Sequence, residues 1–150
     1  MRKIFGFLFL SIMIISACEK DDFCIKNPVT PKLILRFYDD TDRSNTKTAD
    51  ELYVWSGTKD SIFENISTDS LVIPLNTTTN QTIYNLSKGD VVEQFTIDYT
   101  PANEYVSRSC GYRIIFNNVS FSSNNSWITE ITQVETTIDN QNAAHVQVFH

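Results

Sequence analysis

Pro31-Lys32-Leu33-Ile34-Leu35-Arg36-Phe37-Tyr38 is the stretch that decides the fold. Leu33, Leu35 and Phe37 alternate with Ile34, Arg36 and Tyr38. A period of two puts the first set on one face of a β-strand and the second set on the other. The same reading extends along the chain. Residues 52–55 alternate and stop at Ser56-Gly57, and a short Ser61-Ile62-Phe63 run follows. Leu71, Ile73 and Leu75 share a face with Pro74 among them. Pro74 has no N–H to give a ladder, so that strand is expected at an edge or bulged. After a turn at residues 76–80, residues 82–86 read as a short strand ending near Lys88-Gly89-Asp90. Phe95, Ile97 and Tyr99 alternate with Gln94, Thr96 and Asp98, a half-buried strand that Pro101 is expected to close. Residues 105–119 bring Tyr112, Ile114 and Phe116 onto one face. A loop at 122–126 follows, and Ala144, Val146 and Val148 read as a last strand.

One segment carries two signals. Trp127, Ile131, Val134 and Ile138 fall at helical spacing, but its Thr and Ile content favours strand, and strand is the reading adopted. Strand spacing, abundant Thr, Asn and Ser, and only 4 Gly together indicate an all-β chain. The expected architecture is an antiparallel β-sandwich of about seven to nine strands, with a closed β-barrel as the alternative.

The N-terminus is of a different kind. Arg2 and Lys3 precede an apolar run over residues 4–15, followed by Ser16, Ala17 and Cys18. A positive head, an apolar middle and a small-residue exit make a secretory signal. The run is shorter than the ~20 residues a membrane-spanning helix needs. Ile15-Ser16-Ala17-Cys18 resembles the bacterial lipobox, which implies cleavage before Cys18 and acylation of its thiol. Each buried CH₂ contributes about 0.8 kcal/mol and a single chain holds only marginally, so several chains on Cys18 would fix the protein to a membrane. Lys20, Asp21 and Asp22 resemble the short export tag of Bacteroidota lipoproteins, which implies display on the outer face of the outer membrane. The expected organisation is a signal peptide at 1–17, a lipidated tether at 18–30 and a single β-sandwich domain at 31–150.

Residues 18–150 carry 10 basic and 18 acidic side chains, a net charge of −8. An acidic domain is a poor nucleic-acid binder, because that affinity comes from neutralising phosphates. The charge suits solubility, metal ions or basic partners. With Cys18 acylated, Cys24 and Cys110 remain. In an oxidising compartment they are expected to pair; the alternative is two separate buried thiols. Closing a loop of that length stabilises by about 4 kcal/mol in the chain-entropy model.

Three stretches carry a family resemblance. They are Cys-x-Lys-Asp-Asp-x-Cys from Cys18, the run from Thr30-Pro31-Lys32-Leu33 to Arg36-Phe37-Tyr38-Asp39, and Ser109-Cys110-Gly111-Tyr112. They resemble a family of small Bacteroidota lipoproteins known only as a domain of unknown function. The resemblance implies an envelope lipoprotein and brings no catalytic residues.

Catalysis is hard to assemble from this composition. His145 and His150 are the only histidines. A Ser-His-Asp site would need His145, and a lone His in a strand pattern is expected to be exposed. No Gly-rich phosphate loop is present. The protein is therefore expected not to be an enzyme and to need no cofactor, calcium being the one candidate. Asp40, Asp42, Ser44 and Glu51 stand at positions 1, 3, 5 and 12 of a calcium loop. Asn45 occupies position 6, where Gly makes the sharp turn, and strands flank the loop. An acidic solvated loop is the plainer reading. Trp55 and Trp127, with Tyr53 or Tyr38, offer a sugar-stacking platform, although aromatics in a sandwich are more often core. Asp60-Ser61-Ile62 and Asp69-Ser70-Leu71 resemble the Asp-Ser/Thr-apolar sites that Bacteroidota O-glycosylate, which implies Ser61 and Ser70 as acceptors. Two functions follow: an accessory that docks on an outer-membrane protein, or a stand-alone binder of glycan or calcium.

Overall fold

The computed structural model describes residues 23, 24, 26, 29–58 and 60–150. Cys18, Lys20, Asp21 and Asp22, with the whole expected signal peptide, lie outside the described residues. Nine strands follow one another among the described residues. They are β1 (Leu33–Tyr38), β2 (Ala49–Trp55), β3 (Phe63–Thr68), β4 (Ser70–Ile73), β5 (Gln81–Lys88), β6 (Val91–Ser107), β7 (Gly111–Ser123), β8 (Glu130–Gln133) and β9 (Val146–Phe149). They form a four-stranded sheet in the order β4-β1-β9-β8 and a five-stranded sheet in the order β3-β2-β5-β6-β7. This is a β-sandwich and not a closed barrel.

The opening stretch behaves as its alternation requires. Leu33, Leu35 and Phe37 are fully buried, while Arg36 points outward to Asp69, 3.2 Å away. Opposite them, Leu52, Val54, Leu86, Phe95, Ile97 and Phe116 of the five-stranded sheet are also fully buried. The two inner faces thus supply one apolar core. Pro74 follows the last residue of β4, and β4 is an edge strand, as its lack of a donor demands. Pairing is antiparallel in the registers described, with one exception: β1 runs parallel to β9, with Leu35 opposite Val146 and Phe37 opposite Val148.

Other elements depart from the sequence reading. The expected short run at Ser61 is instead β3, six residues beginning at Phe63. Pro101 does not close β6, which continues to Ser107. Tyr99 N–H donates to Asn80 O on the β5 side, so the backbone nitrogen of residue 101 faces that side too. β5 begins at Gln81, opposite Asp98, and offers no neighbour there. The missing N–H of Pro101 therefore falls beyond the β5–β6 ladder. Residues 105–119 are not one strand. They hold the end of β6, a turn and the start of β7, and Tyr112 is 67% exposed. The ambiguous segment contains β8 and a single bridge between Ile138 and Phe116, with no helix.

Two bulges shape the β2–β3 edge. From Ala49–Thr68 to Leu52–Ile66, β2 uses one residue more than β3; from Leu52–Ile66 to Val54–Phe63, β3 uses one more than β2. Glu51 (φ 52°) lies in the first interval and Asn65 (φ 49°) in the second. An extra residue that turns left-handed restores the in-out alternation beyond it.

Contact density separates two compact units. The larger comprises Val29–Glu104 and Arg113–His150 and holds the core described above. The smaller contains Phe23, Cys24 and Lys26 with Tyr105–Tyr112. In it Cys24 and Cys110 form a disulfide, the expected pairing. Ser109 Oγ donates to Phe23 O at 3.3 Å, and Lys26 Nζ to Val106 O at 3.4 Å. The Tyr105 and Tyr112 rings meet edge to face at 5.4 Å.

Candidate functional site

The outward face of the five-stranded sheet carries the most site-like arrangement. In β2 the inward residues are Leu52 and Val54, so Tyr53 and Trp55 point out together. Register sets Tyr53 beside Ser87, which stands beside Val92; Trp55 stands beside Asn85, which stands beside Gln94. Ser87 is small, and Gly89 beyond it has no side chain. The sheet surface therefore dips next to the Tyr53 ring. The β2–β3 loop supplies Asp60 and Ser61, and β3 supplies Glu64. Together these residues line an open groove of about 580 Å³. The Ser87 hydroxyl is turned to Gly89 O at 2.7 Å. Among the described residues, no hydrogen bond or ion pair engages the side chains of Tyr53, Asp60, Ser61 or Glu64. Two aromatic rings beside uncommitted carboxylates and a hydroxyl can hold a ligand with apolar faces and polar edges.

A neighbouring hollow of about 480 Å³ includes Asp60, Asn76, Thr82 and Tyr84. Most of its polar groups are already spent on one another. Tyr84 donates to Pro74 O, Tyr99 donates to Asn76 O, and Thr82 Oγ1 accepts from Asn76 N–H. Burial pushes the Tyr84 hydroxyl up to about 12. This cluster ties the β4–β5 connection to the sheet.

The acidic loop is bound to itself. Asp39 Oδ1 accepts from the Thr41 hydroxyl (2.6 Å) and N–H (2.7 Å), and those bonds hold its carboxyl at about 2. Asp42 accepts from the Ser44 hydroxyl and from Asn45, and the Ser44 bond lowers its pKa first. Asp40 faces Arg43 at 2.8 Å, which also reaches Glu130 at 2.7 Å. Those carboxylates, Glu130 first, raise the Arg43 pKa. Of the proposed calcium ligands, Asp40, Asp42 and Ser44 share this loop. Glu51 is displaced by its bulge, and its carboxylate lies beside Gly89 at the β5–β6 turn. Among the described residues there is no group of three or more His, Cys, Asp or Glu placed to hold a metal ion.

The histidines are structural. His145 was expected to be exposed and is instead 2% exposed. Its Nδ1 accepts from Ile34 N–H at 3.0 Å, so Nε2 carries the hydrogen and meets Asn140 O at 3.0 Å. Burial pushes its pKa down. The His150 ring packs edge-on against Trp127 and Phe37. Lys88 Nζ lies 3.2 Å from His150 Nδ1. An ammonium only donates, so Nδ1 accepts there. Burial and then Lys88 lower the His150 pKa.

Sequence reading missed Glu93. It shares the inward parity of Phe95, Ile97 and Tyr99 and is fully buried. Its Oε2 accepts three successive N–H groups, from Ser126 (2.7 Å), Trp127 (3.0 Å) and Ile128 (3.2 Å). Glu93 Oε1 and His150 Nε2 are the buried side-chain atoms without a partner among the described residues. An acid at an inward position of an alternating strand was the available signal.

The remaining candidates are scattered. Trp127 is half-buried and donates Nε1–H to Leu86 O, so it does not join Trp55. Tyr38 packs on Phe149 at 5.7 Å. Ser61 lies in the groove, whereas the Ser70 hydroxyl donates to Leu35 O inside the four-stranded sheet. No described helix is long and apolar enough to cross a membrane.

Residues 51–150 match a protein family described as a family of unknown function (DUF6452). No curated protein matches the chain, and no solved structure matches it.

Proposed function

The chain belongs to this family of unknown function; on the residues of its own sequence and groove we propose that it is a lipid-anchored outer-membrane protein that binds and does not catalyse. Its ligand is a carbohydrate chain held at the Tyr53–Trp55 groove. The groove carries this reading: two outward aromatic rings, with Asp60, Ser61 and Glu64 uncommitted beside them among the described residues. The C–H faces of a sugar ring suit the aromatics, and its hydroxyls suit the carboxylates and the serine. The anchor rests on Ile15-Ser16-Ala17-Cys18, and outward display on Lys20, Asp21 and Asp22, as in Bacteroidota lipoproteins. His145 has both ring nitrogens engaged within the fold, which leaves neither to serve as a base.

The test is glycan-array binding followed by calorimetry with neutral oligosaccharides. Trp55→Ala and Tyr53→Ala should each weaken binding at least tenfold and leave the melting temperature within about 2 °C, as surface changes do. Equal binding by both variants would overturn the site. Loss of acyl labelling in Cys18→Ala tests the anchor separately.

A second reading is a docking accessory of an outer-membrane protein. It draws on Val91 and Val92, exposed at 47% and 41%, the latter in the same cross-strand row as Tyr53. A single protein that co-purifies with the crosslinked wild type and not with Cys18→Ala would favour it.

A further inference from the structure

The smaller compact unit exposes an aromatic cluster beside its disulfide. Phe23 is 79% exposed, Tyr105 58% and Tyr112 67%. Phe23 precedes Cys24, whose sulfur is bonded to that of Cys110, and Tyr105 and Tyr112 contact each other. Both Tyr residues are more than half exposed, although an aromatic of this size ordinarily seeks burial. Six Cα steps join Cys18 to Cys24. At full extension that is about 20 Å. The cross-link carries the same limit over to Cys110 and its neighbours. An acylated Cys18 would therefore hold this cluster within reach of the lipid headgroups.

We infer that Phe23, Tyr105 and Tyr112 seat in the membrane interface beside the acyl chains on Cys18. The inference rests on the lipid-anchor reading and adds to it a second contact with the same bilayer. Tyrosine suits this layer, because its ring prefers the acyl boundary and its hydroxyl prefers the wet headgroups. Lys26 and Arg108 are exposed on the same unit, and their charges suit headgroup phosphates. Glu19, Asp21 and Asp22 in the connecting run oppose that attraction, so apolar burial of the three rings is the dominant contribution. The disulfide makes the seat depend on redox state. Reduction would disconnect Tyr105 and Tyr112 from the short span that ends at Cys18.

The experiment uses the full acylated chain in phosphatidylethanolamine–phosphatidylglycerol vesicles. Single Phe23→Trp, Tyr105→Trp and Tyr112→Trp variants are compared with the parent, whose Trp55 and Trp127 give the baseline, and with Val91→Trp as an exposed control. Lipids brominated near the headgroup should quench the added emission at positions 23, 105 and 112, shifted to the blue, and not at 91. Reduction should relieve quenching at 105 and 112 and preserve it at 23. If the chain floats with the vesicles but the three positions are quenched no more than position 91, the inference fails and the anchor stands. If the chain carries no acyl group and does not float, the anchor fails and the inference with it. Protection that appears only in native envelopes, and not in protein-free vesicles, would replace lipid by a protein as the occupant.

Discussion

Ile34 and His145 are joined twice. His145 N–H donates to Ile34 O at 2.9 Å, and Ile34 N–H donates to His145 Nδ1 at 3.0 Å. The imidazole thereby extends by one step the parallel ladder that begins at Leu35 and Val146. A side chain stands in where the backbone of β9 has not yet begun.

His145→Ala removes that acceptor and leaves a partly buried N–H unpaired, which costs about 1 kcal/mol. His145→Asn keeps an acceptor at the Nδ1 position and should recover part of the loss. Urea unfolding of the two variants checks the order. Equal midpoints for wild type and Ala would show that the bond contributes nothing.

Acid should destabilise the protein through its histidines. Burial lowers the folded pKa of both His145 and His150 below the ordinary 6.5. Below 6.5 the unfolded chain therefore binds more protons than the folded one. Stability is fully present above that pH and falls as pH drops toward the folded values. Asp39 and Asp42 have depressed pKa values, so their contribution is retained through this range. Melting temperatures at pH 7.5 and 5 give the slope, and the double variant His145→Asn/His150→Phe should flatten it. A wild-type melting temperature unchanged between the two would refute the assignment.

Glu93→Ala should be among the most damaging single changes. It removes the acceptor of three N–H groups, of which that of Ile128 is buried, and a buried unpaired donor costs about 1–3 kcal/mol. Glu93→Gln retains an acceptor oxygen and should lose markedly less. Amide exchange at Ser126, Trp127 and Ile128 provides the local readout: much faster in Ala, intermediate in Gln.

Glu51 sits left-handed in the first bulge, where a side chain costs about 1 kcal/mol or more. Glu51→Gly should be neutral or stabilising by up to about 1 kcal/mol. Glu51→Val, β-branched at positive φ, should destabilise by about 1–2 kcal/mol. Thermal melts of the pair settle the sign.

The strands were legible where alternation was clean, as in β1 and around Phe95-Thr96-Ile97. Periodicity reports the face of a residue and says nothing of the partner strand. Pro101 therefore read as a terminator, although its nitrogen faces the flank that β5 has already left. Residues 105–119 read as one strand because the turn before Gly111 falls between two stretches of similar character. The parallel β1–β9 pair depends on residues more than a hundred positions apart. Tyr53 and Trp55 were visible as candidates, but the bulges and Ser87 that shape their groove have no local signature. Trp127 looked equivalent to Trp55 until topology placed its indole N–H against Leu86 O.

The β1–β9 ladder also sets the order in which the molecule can form. β1 meets β4 across about 34 residues and β8 meets β9 across fewer, but the β1–β9 ladder that joins the two pairs brings together residues about 110 positions apart. Contacts that distant are the slow ones in folding, and β-rich domains dominated by them fold in milliseconds to seconds. Until that closure the flank of β1 that later receives β9 is an unpaired edge, next to the apolar face of Leu33, Leu35 and Phe37. The interval before closure is thus when the chain is most open to pairing with another copy of itself.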